Sequence, residues 1–558
     1  MKLKRFSIGT LGLLAVSGLA WSCSGKSEDC NANLTCAPYG GELGTSGASG
    51  ASGSSGKGGT SGGFAGTSGG SGTSGEGGTD AAAGSGGAPP IPCDGTLGPD
   101  TDACVISDEF GVFVSPNGDS SSADGTQAHP YATVTQALAG IMKIKHVYVC
   151  AGEYQEPGAL AIPDRVSIYG GFSCDGGIWK YGADTPAYLH SATPIGATIM
   201  DAKVGVLIQD LRIDASNADD GTGASSFGLM VSGSQNVALK RVEIHAGKGG
   251  KGKSGTDGAT GADGIASGDA QNGKAGTCSS APGSQMGPAP VSKVCGSEGG
   301  AGGMAYAAVS YSPMQDGSSG YLVSPSNGGK GGDTLGQNAK PGQPGENGAR
   351  GEQGALAPTI GTFSSDGYQL ASGGSGTAGK PGFGGGGGGA SLGIAGSTTT
   401  CLGATGGAGG MGGCGGDSGT GGLGGGASVA LLSWRSSISI DSCALSALSG
   451  GAGGDGGKGH VGGTGKAGGT GGPADGGGTV GVGGDGARGG NGGNGGSGAG
   501  GTGGPSIALV IDGTAPTLIG TSTLNFGAAA AGGKGGTLGS VSAPDGSKGL
   551  TQDIYPKP

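Results

Sequence analysis

Residues 199–214 read IMDAKVGVLIQDLRID, and residues 230–245 read MVSGSQNVALKRVEIH. Apolar residues recur in both at steps of 7, 2, 3 and 2: Ile199, Val206, Ile208, Leu211 and Ile213, then Met230, Val237, Leu239, Val242 and Ile244. The spacing returns as Leu431, Ile438, Ile440, Cys443 and Leu445, and more weakly as Val510, Thr517, Ile519, Ser522 and Leu524. Two period-2 pairs broken by a three-residue step describe two short strands joined by a bend. Such a unit cannot bury its apolar face alone, but stacked copies bury it in one column. The spacing therefore predicts an all-β chain built as a parallel β-helix.

The copies are unevenly separated. The first two adjoin, whereas Val237 and Ile438 are divided by residues 247–426, and Ile438 and Thr517 by residues 449–504. The intervening chain is nearly all glycine-rich, so it is expected to leave from a coil corner and return to the next coil. The segments 247–303, 324–426, 449–504 and 527–548 are those loops, and the apolar run 303–323 is a candidate for a further irregular coil. The organisation is thus a signal peptide at 1–22, a Gly/Ser/Thr-rich tether at 23–92, and a first β-helix domain at 93–246. An insertion at 247–426, a coil at 427–448, an insertion at 449–504, a coil at 505–526 and a glycine-rich tail at 527–558 follow.

Glycine supplies 146 of the 558 residues, against about 7% in ordinary chains. It brings no side chain to bury and costs the most backbone entropy to order, so the conventional core must be modest. Gly451 to Gly504 runs largely as GGx or Gxx triplets, and residues 342–354 (GQPGENGARGEQG) are collagen-like. Low apolar content favours disordered loops. Period-3 glycine favours bundled left-handed extended helices of the polyglycine-II kind, because only glycine lets such backbones approach closely. The second reading is preferred; it resembles, in composition, glycine-rich surface proteins of mycobacteria and myxobacteria.

Upstream, GVFVS at 111–115 alternates like a strand, 133–144 has helical spacing with Val134, Ala137, Leu138 and Ile141 on one face, and HVYVC at 146–150 is a strand. The run VFVSPNGDSSSADGTQAHPYATVTQALA, followed by VYVCAGEYQE and IPDRVSIYGGF, resembles the uncharacterised domain that opens many bacterial right-handed parallel β-helix (pectin-lyase-like) proteins. The resemblance covers about residues 111–172. It implies a right-handed coil whose open N-terminal end is capped by the short helix, where sheet hydrogen-bonding groups would otherwise be exposed. It carries no catalytic residues.

Lys2, Lys4 and Arg5 precede an apolar stretch, Phe6 to Ala20, which reads as a signal peptide and is too short to span a bilayer. Leu19-Ala20-Trp21-Ser22-Cys23 resembles a bacterial lipobox, with Trp21 as its departure from the pattern; it implies lipidation at Cys23, and ordinary cleavage nearby is the alternative. About 50 tether residues after that site have an end-to-end distance on the order of 40 Å. Of 12 cysteines, setting Cys23 aside leaves an odd number. Sequence-near pairing gives Cys30 with Cys36, Cys93 with Cys104, Cys150 with Cys174, Cys278 with Cys295 and Cys401 with Cys414. Cys443 is left over at a core position, where a thiol acts as a small apolar group. Disulfides suit an exported chain.

The net charge of −11 is thinly spread, without a basic block, which argues against nucleic acid as a partner. No CxxC pair or Cys/His cluster marks a metal site, and His129, His146, His190, His245 and His460 are scattered. Asn117, Asp119 and Asp124 offer oxygens to a calcium ion, but such a loop is more often simply a hydrated turn, and that reading is preferred. GxGxxG matches are a by-product of glycine density. No cofactor is expected.

Stacking the first two copies sets Asp210 beside Arg241, Arg212 beside Glu243 and Asp214 beside His245, each joining an acid to a base. Pectin-cleaving β-helix enzymes present Asp and Arg on such a face, but a ladder of ion pairs needs only adjacency and is preferred, so no catalytic residue is assigned. The expected function is a non-catalytic structural or adhesion protein of the cell envelope, an outer-membrane lipoprotein or otherwise secreted, contacting polysaccharide or matrix. The alternative is a carbohydrate-active β-helix, either a polysaccharide lyase or a glycan-binding module.

Overall fold

The computed structural model describes residues 93–556, apart from 120, 142–145, 280–282, 292, 308–309, 322–327 and 333–336. The signal segment, Cys23, Cys30, Cys36 and the tether lie outside the described residues. Among those described, no helix is long and apolar enough to cross a membrane.

The chain is all-β, winding through three parallel sheets as expected of a β-helix. Sheet A holds, in parallel, Gly111–Val114, His146–Cys150, Ser167–Ser173, Val206–Gln209, Val237–Lys240, Ile438–Asp441 and Thr517–Ile519, with the short Lys180–Tyr181 paired antiparallel to Ser167–Ser173. Sheet B holds Gly152–Glu156, Ala187–Ser191, Leu211–Asp214, Glu243–Ala246, Ala444–Ala447 and Thr523–Asn525. Sheet C holds Leu160–Ala161, Ile195–Met200, Ser226–Ser232, Ser428–Trp434, Ser506–Asp512 and Thr551–Tyr555. From His146 onward the coils visit A, B and C in turn.

The predicted column is present. Val206, Val237 and Ile438 face one another in register, as do Ile208, Leu239 and Ile440, and Ile213, Ile244 and Leu445. All nine are buried in one apolar cluster, with Cys443 beside them. The three-residue step is a one-residue corner. Asp210, Arg241 and Ser442 stand there at φ 57°, 51° and 55°, a left-handed conformation uncommon for side-chain-bearing residues. Their amides bond to the next coil, Asp210 N to Lys240 O at 3.1 Å and Arg241 N to Asp441 O at 2.8 Å, so the ladder crosses the bend unbroken.

The step of 7 is not uniform. Ile199 lies opposite Val231 rather than Met230, Leu431 lies opposite Leu229, and Val510 lies opposite Leu432. Strands of sheet C are apolar on both faces, so alternation does not mark the inward one. Phe227, Met230, Leu432 and Val510 point outward into a second cluster, against which Phe363 and Tyr368 pack from the hairpin Thr362–Ser364/Gly367–Gln369. The fourth copy is also displaced: Leu518, not Ile519, lies opposite Ile440, and Thr517 lies opposite Ser439.

The helix is Val134–Gly140, shorter than its apolar spacing suggested, with Val134 and Ala137 buried. Thr133 and Gln136 form a capping box. The buried Glu156 carboxylate accepts from Val134 N at 2.7 Å, Thr135 N at 3.0 Å and Thr135 Oγ1 at 2.6 Å, satisfying first-turn amides. Gly111–Val114 is buried on both faces rather than alternating, because Phe113 joins an outer aromatic cluster with Tyr148, Phe172 and Trp179.

Every long glycine segment leaves between sheets B and C. The glycine segments bond to one another at every third residue. Gly342, Gly345, Gly348, Gly351 and Gly354 donate in parallel to Asp485, Arg488, Asn491, Asn494 and Ser497, while Gly486, Gly489, Gly492 and Gly495 donate antiparallel to Gly469, Lys466, Gly463 and His460. These residues belong to no strand or α-helix, and three residues per turn without internal bonds is the geometry of extended left-handed helices. Glycine count per triplet matches position. Residues 252–264 and 342–354 keep one glycine per triplet, turned toward neighbouring carbonyls, and their other residues are mostly exposed. Residues 405–416 and 484–504 place two glycine rows against two neighbours and are mostly buried.

Cys93–Cys104 and Cys150–Cys174 are bonded as expected, and Cys443 is free and buried. The remaining pairs exchange partners: Cys278 bonds Cys401, and Cys295 bonds Cys414. Antiparallel pairing of Thr277–Ser279 with Thr400–Leu402 brings Cys278 to Cys401, so the spatial neighbour lies on another segment. Two further expectations are corrected. Ala305–Tyr306, inside the run 303–323, pairs antiparallel with Ser284–Gln285 instead of forming a coil. The tail 527–558 returns to sheet C as Thr551–Tyr555.

Candidate functional site

The outer faces of the three sheets differ in what covers them. Aromatic side chains and the chain from Cys93 cover much of sheet A, where Tyr148 Oη donates to Val105 O at 2.7 Å. The hairpin lies against sheet C. Sheet B presents two polar rows. Register lines up Glu153, Tyr188, Arg212, Glu243, Ala444 and Thr523 in one, and Gln155, His190, Asp214, His245, Ser446 and Asn525 in the other.

Asp214 is the centre of this face. Arg212 Nε donates to its Oδ1 at 2.7 Å, His190 Nδ1 lies 3.0 Å from Oδ2, and His245 Nδ1 lies 3.5 Å from Oδ1. His190 Nε2 also meets Glu153, His245 Nε2 lies 3.7 Å from Glu243, and the Arg212 guanidinium sits 5.7 Å from the Tyr188 ring centroid. The Asp214–His245 and Arg212–Glu243 adjacencies are those expected from the repeat. His190 and Tyr188 are additions, carried by Ala187–Ser191, a strand outside the repeat copies. Its alternation, with Ala187, Leu189 and Ser191 buried and Tyr188 and His190 between them, was the available signal.

The third expected pair lies at the A-to-B corner. Arg241 holds Asp210 with two bonds, Nε to Oδ1 at 2.5 Å and Nη2 to Oδ2 at 2.8 Å. Tyr181 donates to the same carboxylate, and Gln209 Nε2 joins at 2.9 Å. Burial, with the Asp210 bond, pushes the Tyr181 phenol up to about 12. This network fastens the corner.

Burial depresses His245 below its ordinary 6.5, reinforced by Arg212 and opposed by Asp214 and Glu243. As pH falls, the unfolded chain therefore protonates first. The His245 contribution is present above 6.5 and declines as pH drops through 6.5 toward the folded value. Urea midpoints compared at about pH 7.5 and 5.5 should fall less in His245→Gln than in the parent; equal declines would remove His245 as the cause.

Asp119 accepts from Ser121 N and Oγ at 2.8 Å and from Ser122 Oγ at 2.5 Å, and Asp124 from Thr126 Oγ1 at 2.7 Å. The Ser122 hydroxyl and the other turn donors hold Asp119 at about 2. These carboxylates satisfy their own turns, and among the described residues no group of His, Cys, Asp and Glu is arranged to hold a metal ion.

Comparison with known proteins gives limited findings. No curated protein matches the chain. A solved rhamnogalacturonan lyase aligns at 15% identity and a TM-score of 0.14, covering 25% of this chain and 39% of the lyase. Residues 116–211, the segment carrying the helix and the first coils, match the family described as "Protein of unknown function (DUF1565)".

Proposed function

We propose that this chain is an exported cell-envelope protein with a non-catalytic, structural or adhesive role. Cys23 is its lipid anchor, residues 24–92 its tether, and a right-handed parallel β-helix its stalk, with the helix Val134–Gly140 as cap. The glycine segments are a polyglycine-II-type slab that displays a broad surface to polysaccharide or matrix. The observation supporting this reading is the third-residue bonding among segments far apart in sequence, such as Gly249 N to Ser449 O at 3.1 Å and Gly348 N to Asn491 O at 2.8 Å. Backbone committed to that network is spent on shape rather than on a reactive cavity.

Protease shaving of intact cells tests it. Elastase is expected to cut within 40–92 and release a resistant fragment beginning near Cys93 and retaining the glycine tracts, while Cys23→Ser sends the chain into the medium. A chain protected in intact cells, or glycine tracts digested away from a β core, would defeat the proposal.

A carbohydrate-active reading is favoured by one observation, the partly exposed Tyr188, His190, Arg212 and His245 gathered round the mostly buried Asp214 on one open face. Incubation with acidic polysaccharides is expected to release no unsaturated sugars. Release that disappears in Arg212→Ala would establish the lyase instead.

A further inference from the structure

The glycine segments leave an open cleft of about 330 Å³ between residues 342–354 and residues 460–465, floored by residues 485–497. Asn347, Arg350, Thr464, Asn491 and Asn494 line it. Its three asparagines are held one way round. Asn347 Oδ1 accepts from Asn491 N at 2.8 Å, Asn491 Oδ1 from Gly465 N at 3.0 Å, and Asn494 Oδ1 from Gly462 N at 3.2 Å. A side-chain amide whose oxygen faces backbone donors turns its NH2 group the other way. Among the described residues, none of these three Nδ2 groups has a partner.

Positive charge joins them. Arg488, one turn before Asn491, donates Nε to Gly465 O at 3.0 Å and Nη2 to Asn491 Oδ1 at 3.4 Å. Arg350 is exposed and makes no ion pair among the described residues. The neighbouring acids are engaged or turned elsewhere. Asp263, beside Thr464, is held by Lys466 Nζ at 2.8 Å, and Asp485, two turns before Asn491, accepts from Gly471 N at 2.7 Å. Glu346 and Glu352 share a row with Ala349, which lines a separate cleft with Lys380 and Phe383. Residues three apart on such a helix recur about every 9 Å, so Asn491 and Asn494 repeat one donor in line with Arg488. A straight ladder of donors suits a linear polymer rich in acceptors.

We infer that this cleft binds a linear carboxylated polysaccharide. Its carboxylates pair with Arg350 and Arg488 in charge-assisted bonds, and its hydroxyl and ring oxygens accept from Asn347, Asn491 and Asn494. Hydroxyls accept as readily as they donate, whereas an acidic peptide would bring N–H groups that a donor-lined cleft leaves unmatched. The inference rests on the polysaccharide contact proposed above and gives that contact a location.

Calorimetric titration of the full chain with alginate, and with uncharged dextran as control, tests this. Saturable binding of alginate that weakens with added salt, and none of dextran, is expected. Asn491→Asp keeps an oxygen for Gly465 N while replacing the outward NH2 by negative charge, and should weaken binding by about tenfold or more. Arg350→Gln, at an exposed position, should act in the same direction. Arg435→Gln, which removes one positive charge elsewhere on the surface, should bind like the parent. Circular dichroism checks that each variant is folded. Parent-like affinity in folded Asn491→Asp or Arg350→Gln, or a loss confined to Arg212→Ala on sheet B, would overturn the inference and leave the polysaccharide contact standing. Equal binding of dextran would overturn the carboxylate preference and the inference with it, and a parent that binds neither polymer would overturn both the inference and the contact it rests on.

Discussion

Gly496→Val is expected to destabilise the protein by about 3 kcal/mol or more, the upper range for overpacking a closed interior. A Cβ at Gly496 would fall on the carbonyl of Glu352, well inside contact distance. That carbonyl belongs to backbone, which cannot rotate away as a side-chain end can. Neighbouring Gly493 and Gly490 meet the carbonyls of Ala349 and Glu346 in the same way, so local relief would transfer the clash along the row. Gly476→Ala is the matched comparison: its added Cβ meets nothing within 4 Å, and a change within about 0.5 kcal/mol is expected. Denaturant midpoints of the two variants decide the matter. Equal, small effects would mean that the segments do not pack at this spacing in solution.

Ile440→Ala should cost about 2–5 kcal/mol, the range for truncating a buried aliphatic residue. Ile440 is fully buried between Leu239 and Leu518. Its partner Leu239 precedes the longest insertion, so the loss measures whether one column continues across residues 247–426. Ser439→Ala, at an outward position beside Ala238 and Thr517, should stay within about 0.5 kcal/mol. Thermal or denaturant unfolding that leaves Ile440→Ala indistinguishable from Ser439→Ala would separate the coils into independent units.

The column was legible because sheets A and B bury one face of each late coil and leave the other wetter. Val206, Ile208, Leu211 and Ile213 announce that alternation directly. Sheet C was illegible for the opposite reason: in SVALLSW and SIALVID, both faces are covered, one by the column and one by a hairpin lying far away in sequence. The cysteine partners failed similarly. Cys278 and Cys295 are near each other along the chain, but the bundle sets each against a different returning segment. On sheet B, the repeat located Arg212, Asp214, Glu243 and His245, while Tyr188 and His190 lay on a strand whose spacing departs from 7, 2, 3 and 2.

The triplets with a single glycine define a border. Extended glycine helices could in principle recruit neighbours on every side, and a chain made only of GGx would have no internal reason to stop growing sideways into an insoluble mass. At 252–264 and 342–354, two of three positions carry side chains such as Lys253, Asp257, Glu346 and Arg350, which fence the sheet-like assembly with bulk and charge. Its breadth therefore follows the triplet pattern of the chain, and solubility is expected to depend on these rim residues rather than on the glycines within.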